Sequence, residues 1–144
     1  RYLYYLTPKG FAEKSRLTGK YLSSSFEFYR RAGDACRSVF ERCAERGWQN
    51  VVLCGYSELA EIAYLRAQDM NIAVVGIYDP KHGKPERFGL PVWSRVNDIQ
   101  THDALVLTTL KKPHEFLQTL RESITNHDTI LIPSVLGMNI EAPN

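Results

Sequence analysis

The sequence has only three cysteines in 144 residues, Cys36, Cys43 and Cys54, too few for a disulfide framework or paired metal knuckles. Cys36 and Cys43 are two helical turns apart, about 10 Å along an axis, beyond the reach of a disulfide within one helix. Reduced, buried thiols are therefore expected. The four histidines, His82, His102, His114 and His127, are scattered and lack ligand spacing, which argues against a zinc site. No apolar run approaches the roughly 20 residues of a membrane span, and no basic-then-apolar leader opens the chain; the expected compartment is the cytoplasm. What is present, 44% hydrophobic, 11% aromatic and 24% charged residues, is a globular composition and not a disordered or fibrous one. The length suits one compact domain with an appended element. The chain opens on Arg1 without a methionine, so it reads as a fragment or a processed product of a longer protein.

The net charge of +2 divides unevenly. Residues 1–47 carry ten Lys/Arg against five Asp/Glu, and residues 48–144 carry eight against eleven. The basic part has the charge to face nucleic acid, or it is a pair of helices with an ordinary excess of Lys and Arg; charge alone leaves both open.

The hydrophobic pattern changes at the same place. Tyr2-Leu3-Tyr4-Tyr5-Leu6 reads as a short strand, followed by Thr7 as a helix N-cap with Pro8 at the first helical position. From about Lys20 to Arg46 a proline-free helical pattern places Leu22, Phe26, Tyr29, Gly33, Cys36, Phe40, Cys43 and Gly47 at alternating steps of four and three. Such a seam is either one face packed on its own domain or a dimer interface. Its length, about 40 Å, favours a homodimer through the helix at 20–47. From Trp48 onwards short apolar runs alternate with helices: strands at Val51–Cys54, Ile72–Tyr78, Leu90–Trp93, Ala104–Thr108 and Thr129–Ile132, helices at Ser57–Asp69 and Pro113–Glu122, a weak helix at Val96–Ile99, and a Pro/Gly/Lys-rich loop from Asp79 to Gly89. Continuous apolar strands alternating with helices predict an α/β fold with a parallel sheet of about five strands, covered on both faces.

The chemistry-bearing element is the turn Gly55-Tyr56-Ser57-Glu58-Leu59-Ala60 between the first of these strands and its helix. Dinucleotide-binding turns carry G-x-G-x-x-G there, for a tight turn, for backbone approach to a pyrophosphate, and for close helix packing. Here the series is Gly55, Ser57 and Ala60. Asp79, 24 residues after Gly55, ends the second strand where an acid accepts ribose hydroxyls. Thr108 and Thr109 end the fourth strand and border the same crevice, because open parallel sheets bind ligands beyond the carboxyl ends of their strands. The candidate binding residues are thus Gly55, Tyr56, Ser57, Glu58, Leu59, Asp79, Pro80, Thr108 and Thr109, at either a nucleotide site or a purely structural turn. Asp79, Lys81, His82 and Lys84 share a loop with phosphate-contacting chemistry. No catalytic residue and no metal ligand is assigned. Gly55-Tyr56-Ser57-Glu58-Leu59 lacks the last glycine of a nucleophile elbow, and the Tyr5/Lys9 spacing of a short-chain dehydrogenase has Pro8 within it.

Two resemblances follow from these residues. Tyr4-Tyr5-Leu6-Thr7-Pro8-Lys9-Gly10 with Glu13-Lys14 resembles the last wing strand and following helix of MarR-like winged-helix regulators, and the long helix is similar to their C-terminal dimerisation helix. The segment 48–144, through Gly55–Ala60, Val75-Gly76-Ile77-Tyr78-Asp79, Phe88-Gly89-Leu90-Pro91-Val92 and Asp103-Ala104-Leu105-Val106, resembles the Rossmann-like, doubly wound domains of nucleotide-sugar epimerase/dehydratases and PglD-type sugar acetyltransferases. That second resemblance implies a nucleotide or nucleotide sugar at Gly55, Ser57, Glu58 and Asp79. Together they imply the end of a winged helix (1–19), a connecting and dimerising helix (20–47) and a Rossmann-like domain (48–144), as in winged-helix regulators linked to exopolysaccharide genes. The expected function is effector sensing and dimerisation in a transcriptional regulator whose DNA contacts come from an upstream winged-helix part. The expected ligand is NAD or NADP, coenzyme A or a nucleotide sugar. The alternative is an NAD(P)- or nucleotide-sugar-binding enzyme domain of oxidoreductase or epimerase type, for which the sequence offers no assignable acid or base.

Overall fold

The computed structural model describes residues 7–138; the strand expected at Tyr2–Leu6 lies outside them. By its internal contacts the chain divides at Arg31/Ala32.

Helix α1, Pro8–Glu45, opens with the Thr7 hydroxyl accepting the Gly10 amide at 3.0 Å, the capping expected of Thr-Pro. It ends in a Schellman arrangement: the Trp48 amide donates to the Cys43 carbonyl and the Gly47 amide to the Ala44 carbonyl, with Gly47 at φ +71. The first unit, up to Arg31, exposes Phe26 and Tyr29. In the second unit the helix turns Ala32, Cys36, Val39, Phe40 and Cys43 into the interior, and at Gly33 the Arg66 guanidinium lies where a Cβ would stand. Half of the heptad-like seam is therefore a core face of the α/β unit, and Leu22 lies among the side chains the structure does not describe. The three cysteines are buried and unpaired; burial pushes the Cys36 thiol up to about 12 and Cys43 up to about 11, which keeps them protonated and inert.

The remaining elements are β1 (Asn50–Cys54), α2 (Glu58–Asp69), β2 (Ala73–Tyr78), β3 (Glu86–Arg87), β4 (Leu90–Trp93), β5 (Ala104–Leu107), α3 (Pro113–Ser123) and β6 (Ile130–Leu131). The segment read as a weak helix is a single 3₁₀ turn, Val96–Asp98. The strands form one six-stranded sheet in the order β3-β4-β2-β1-β5-β6. Every pairing is parallel except β3 with β4. The expectation of about five strands is thus corrected by one. Glu86 and Arg87 are polar and exposed, with no apolar alternation to mark them, yet they pair back onto β4 through the two-residue turn Phe88-Gly89. Both turn residues have positive φ, +58 and +74, as a tight hairpin connection requires.

Alternation along β1 sends Val52 and Cys54 into a cluster with Tyr78, Trp93, Leu105, Leu107, Leu117 and Leu120, so α3 covers that face. Val51 and Leu53, equally buried, point to the other face, where the small buried side chains of α2 (Ala60, Ala63, Ala67) let the helix approach closely. Right-handed crossovers that run from β1 to β2 and, in the opposite direction, from β5 to β6 require helices on opposite faces.

At the amino end of the sheet, Asp103 accepts the amides of Gln49 and Asn50, each at 2.9 Å. The bonds from Asn50 and then Gln49 hold its carboxyl below the usual carboxylate range. A pKa lower in the folded state stabilises the fold fully above the unfolded value and ceases to do so as pH falls through the folded one. Asp103→Asn, which mimics the protonated acid, is therefore expected to melt below the parent at neutral pH and to converge on it in acid. Thermal unfolding followed from about pH 7 down to about pH 2 checks this, and a constant gap at all pH would count against it.

Candidate functional site

The loops beyond the carboxyl ends of β1, β2 and β5 enclose a cavity of about 950 Å³. Its centre is the turn after β1. Gly55 has φ +105, and a Cβ there would meet the Thr109 Cβ at 2.5 Å and its Cα and N at 2.7 Å, so only glycine fits both the conformation and the space. The turn is stitched to both neighbouring strands. The Gly55 amide donates to the Tyr78 carbonyl at 2.8 Å, and the Thr108 amide donates to Cys54 at 2.9 Å. The fully buried Thr108 hydroxyl donates to the Gly55 carbonyl, and the Ser57 hydroxyl donates to the Thr108 carbonyl at 2.5 Å.

Ser57 is also the N-cap of α2. Its backbone is extended, and its Oγ accepts the amides of Leu59 and Ala60 at 3.0 and 3.3 Å. Asp79 closes the other side: one carboxylate oxygen accepts the Tyr56 amide and the other the Lys81 amide, both at 2.9 Å. Of the amides from Gly55 to Ala60, only those of Ser57 and Glu58 have no protein acceptor among the described residues. The Tyr56 hydroxyl donates to Glu61 at 3.1 Å and accepts from Arg87 Nε at 2.7 Å. Its ring is flanked by His82 and Phe88, with the Arg87 guanidinium 5.0 Å from its centroid. The hairpin of β3 and β4 thereby pins the cavity's tyrosine wall.

Of the residues singled out from the sequence, Tyr56, Ser57, Glu58, Asp79, Pro80 and Thr109 line the cavity. Gly55, Leu59 and Thr108 are buried behind it, Gly55 and Thr108 as the turn's supports and Leu59 as a core residue. The loop lysine Lys81 joins the lining. The opposite wall went unread in the sequence: Leu110, Lys111 and Lys112 of the loop after β5, and Glu115, Phe116 and Thr119 of α3. The run Lys111-Lys112-Pro113 just past a strand end was its available signal. Lys112 is held at φ +48 immediately before Pro113, and the Thr109 hydroxyl donates to the Lys111 carbonyl at 3.1 Å, fixing the bend from strand to helix. The hydroxyl of Tyr78, which also lines the cavity, is pushed above the usual phenol value by burial and then by Cys54 and Asp79. Among the described residues no three His, Cys, Asp or Glu side chains gather as metal ligands, and no helix is long and apolar enough to cross a membrane.

Comparison with protein-family models, curated proteins and solved structures returned no match.

Proposed function

We propose that the α/β unit is a Rossmann-like, doubly wound domain that binds a nucleotide-type ligand, and that it is the sensing and dimerisation portion of a winged-helix transcriptional regulator. The observation that carries the ligand reading is the position of the cavity. Leaving β3 aside, the parallel strands run β4-β2-β1-β5-β6, and the order reverses between β1 and β5, beside which open α/β sheets take their ligands. Gly55, Ser57 and Asp79 meet at that point. The regulator reading rests on the wing-like segment Tyr4–Gly10, whose first three residues lie outside the described residues, and on the exposed Phe26 and Tyr29, which suit a homodimer. In this scheme the ligand acts on DNA binding only by favouring one of two protomer arrangements through differential affinity.

Calorimetric titration with NAD(H), NADP(H), coenzyme A and UDP-sugars, paired with melting curves, tests the ligand reading. A true ligand at about 100 times its Kd stabilises the fold by about 2.7 kcal/mol, a readily seen rise in Tm. No heat and no Tm shift with any of them would sink it. Turnover of a nicotinamide cofactor with a sugar nucleotide would replace it by an enzyme.

A further inference from the structure

We infer that the cavity seats its ligand's phosphate against Lys111 and Lys112 and not on the turn after β1, and that it takes a nucleoside mono- or diphosphate in preference to a dinucleotide. The inference rests on the nucleotide-binding reading above and adds orientation and ligand class to it.

Among the described residues, the turn keeps only two amides, those of Ser57 and Glu58, free for an anion. Ser57 Oγ already occupies the amides of Leu59 and Ala60, and Asp79 occupies that of Tyr56, donors that a glycine-rich turn would offer to a pyrophosphate. Glu58, Glu61 and Asp79 line the same side, with Lys81 the cation among them. Three carboxylates repel a phosphate but suit a nucleoside: Asp79 and Glu61 each spend one lone pair per bonded oxygen on protein donors and retain acceptor capacity for sugar hydroxyls.

The facing wall has the opposite character. Lys111 and Lys112 stand side by side on the loop after β5. The one acid there, Glu115, lies 4.0 Å from Lys112 Nζ, with both side chains 71% exposed, a loose, screened pair that a phosphate can displace. Tyr78, Phe116 and Leu120 supply apolar surface to the same cavity. A ligand with hydroxyls at one end and phosphate at the other matches this polarity. A dinucleotide, whose charge is central and whose two ends both bear ribose, does not.

The experiment titrates ADP, UDP, adenosine, uridine and NAD into the parent chain and into Lys111→Gln/Lys112→Gln, at low salt, by calorimetry. Both lysines are exposed and make no side-chain hydrogen bond among the described residues, and an unchanged melting curve confirms that the variant folds. Expected is that at least one nucleotide binds the parent about tenfold or more tighter than its nucleoside. In the variant that ratio falls to about one, while nucleoside affinity stays within about twofold. Persistence of the ratio in the variant places the phosphate on the turn and overturns the inference alone, as does NAD binding more tightly than either diphosphate. If none of the five binds the parent while NADP, coenzyme A or a UDP-sugar does, this inference fails and the nucleotide-binding reading stands; if those are silent as well, the reading itself fails.

Discussion

Gly55→Ala is expected to cost about 2–6 kcal/mol, the sum of a forced positive-φ conformation at about 1–3 and an overpacked contact at about 1–3. Against a domain stability of about 5–15 kcal/mol this is a large fraction of the total, enough to unfold the variant if the parent lies at the low end. The new methyl would overlap Thr109 at its backbone N and Cα as well as Cβ, and a backbone cannot swing aside like a side-chain tip. Relief would pull Thr109 away and break the ties that run through Thr108 to Gly55 and Ser57, opening the cavity at its centre. Gly137→Ala is the matched comparison. It has φ +65 with nothing within 4 Å of the added atom, so it bears only the conformational cost of about 1–2 kcal/mol. Urea midpoints of the two variants separate conformation from space. Equal losses would mean that Thr109 yields easily and that the turn is not the rigid centre described here.

The contrast between what could and could not be read from the sequence follows from what periodicity encodes. Val51–Cys54 and Ala104–Leu107 are continuous apolar runs because both of their faces are covered, and each is a buried strand. Gly55 and Ser57 were legible as a turn and a cap because only a few residue types do those jobs. That Ser57 and Asp79 would spend their oxygens on the turn's own amides was not legible, since the partner of a polar atom is set by tertiary placement. Glu86-Arg87 escaped because two polar residues carry no alternation, and because Phe88 occupies a positive-φ position where Asn, Asp or Gly is the usual signal. The Lys111–Thr119 wall escaped because the pattern of α3 identifies Leu117 and Leu120 as core without indicating which crevice the polar flank borders. The long helix shows the same limit most clearly. Its steps of three and four mark a stripe from Phe26 to Cys43, yet they do not say what covers each part.

Phe40→Ala and Phe26→Ala, two heptads apart on the same stripe, are therefore expected to behave as opposites. Phe40 has no exposed surface and belongs to the α/β unit, whereas Phe26 is 68% exposed. Truncating a buried phenylalanine removes its transfer free energy and leaves a cavity, about 3–5 kcal/mol; truncating an exposed one leaves stability within about 0.5 kcal/mol when the chain is monomeric. Phe40→Ala should lower the urea midpoint substantially at every protein concentration. Phe26→Ala combined with Tyr29→Ala should leave the midpoint of dilute protein unchanged while weakening self-association in sedimentation, because two exposed aromatics on one stripe are the groups a second helix would cover. The concentration dependence separates the two roles: a core residue stabilises one chain, and an interface residue stabilises only as mass action populates the dimer. A Phe26→Ala/Tyr29→Ala chain that sediments like the parent at all concentrations would remove the stripe from the dimer interface, and with it the route by which a ligand in the α/β cavity is proposed to reach a DNA-binding part.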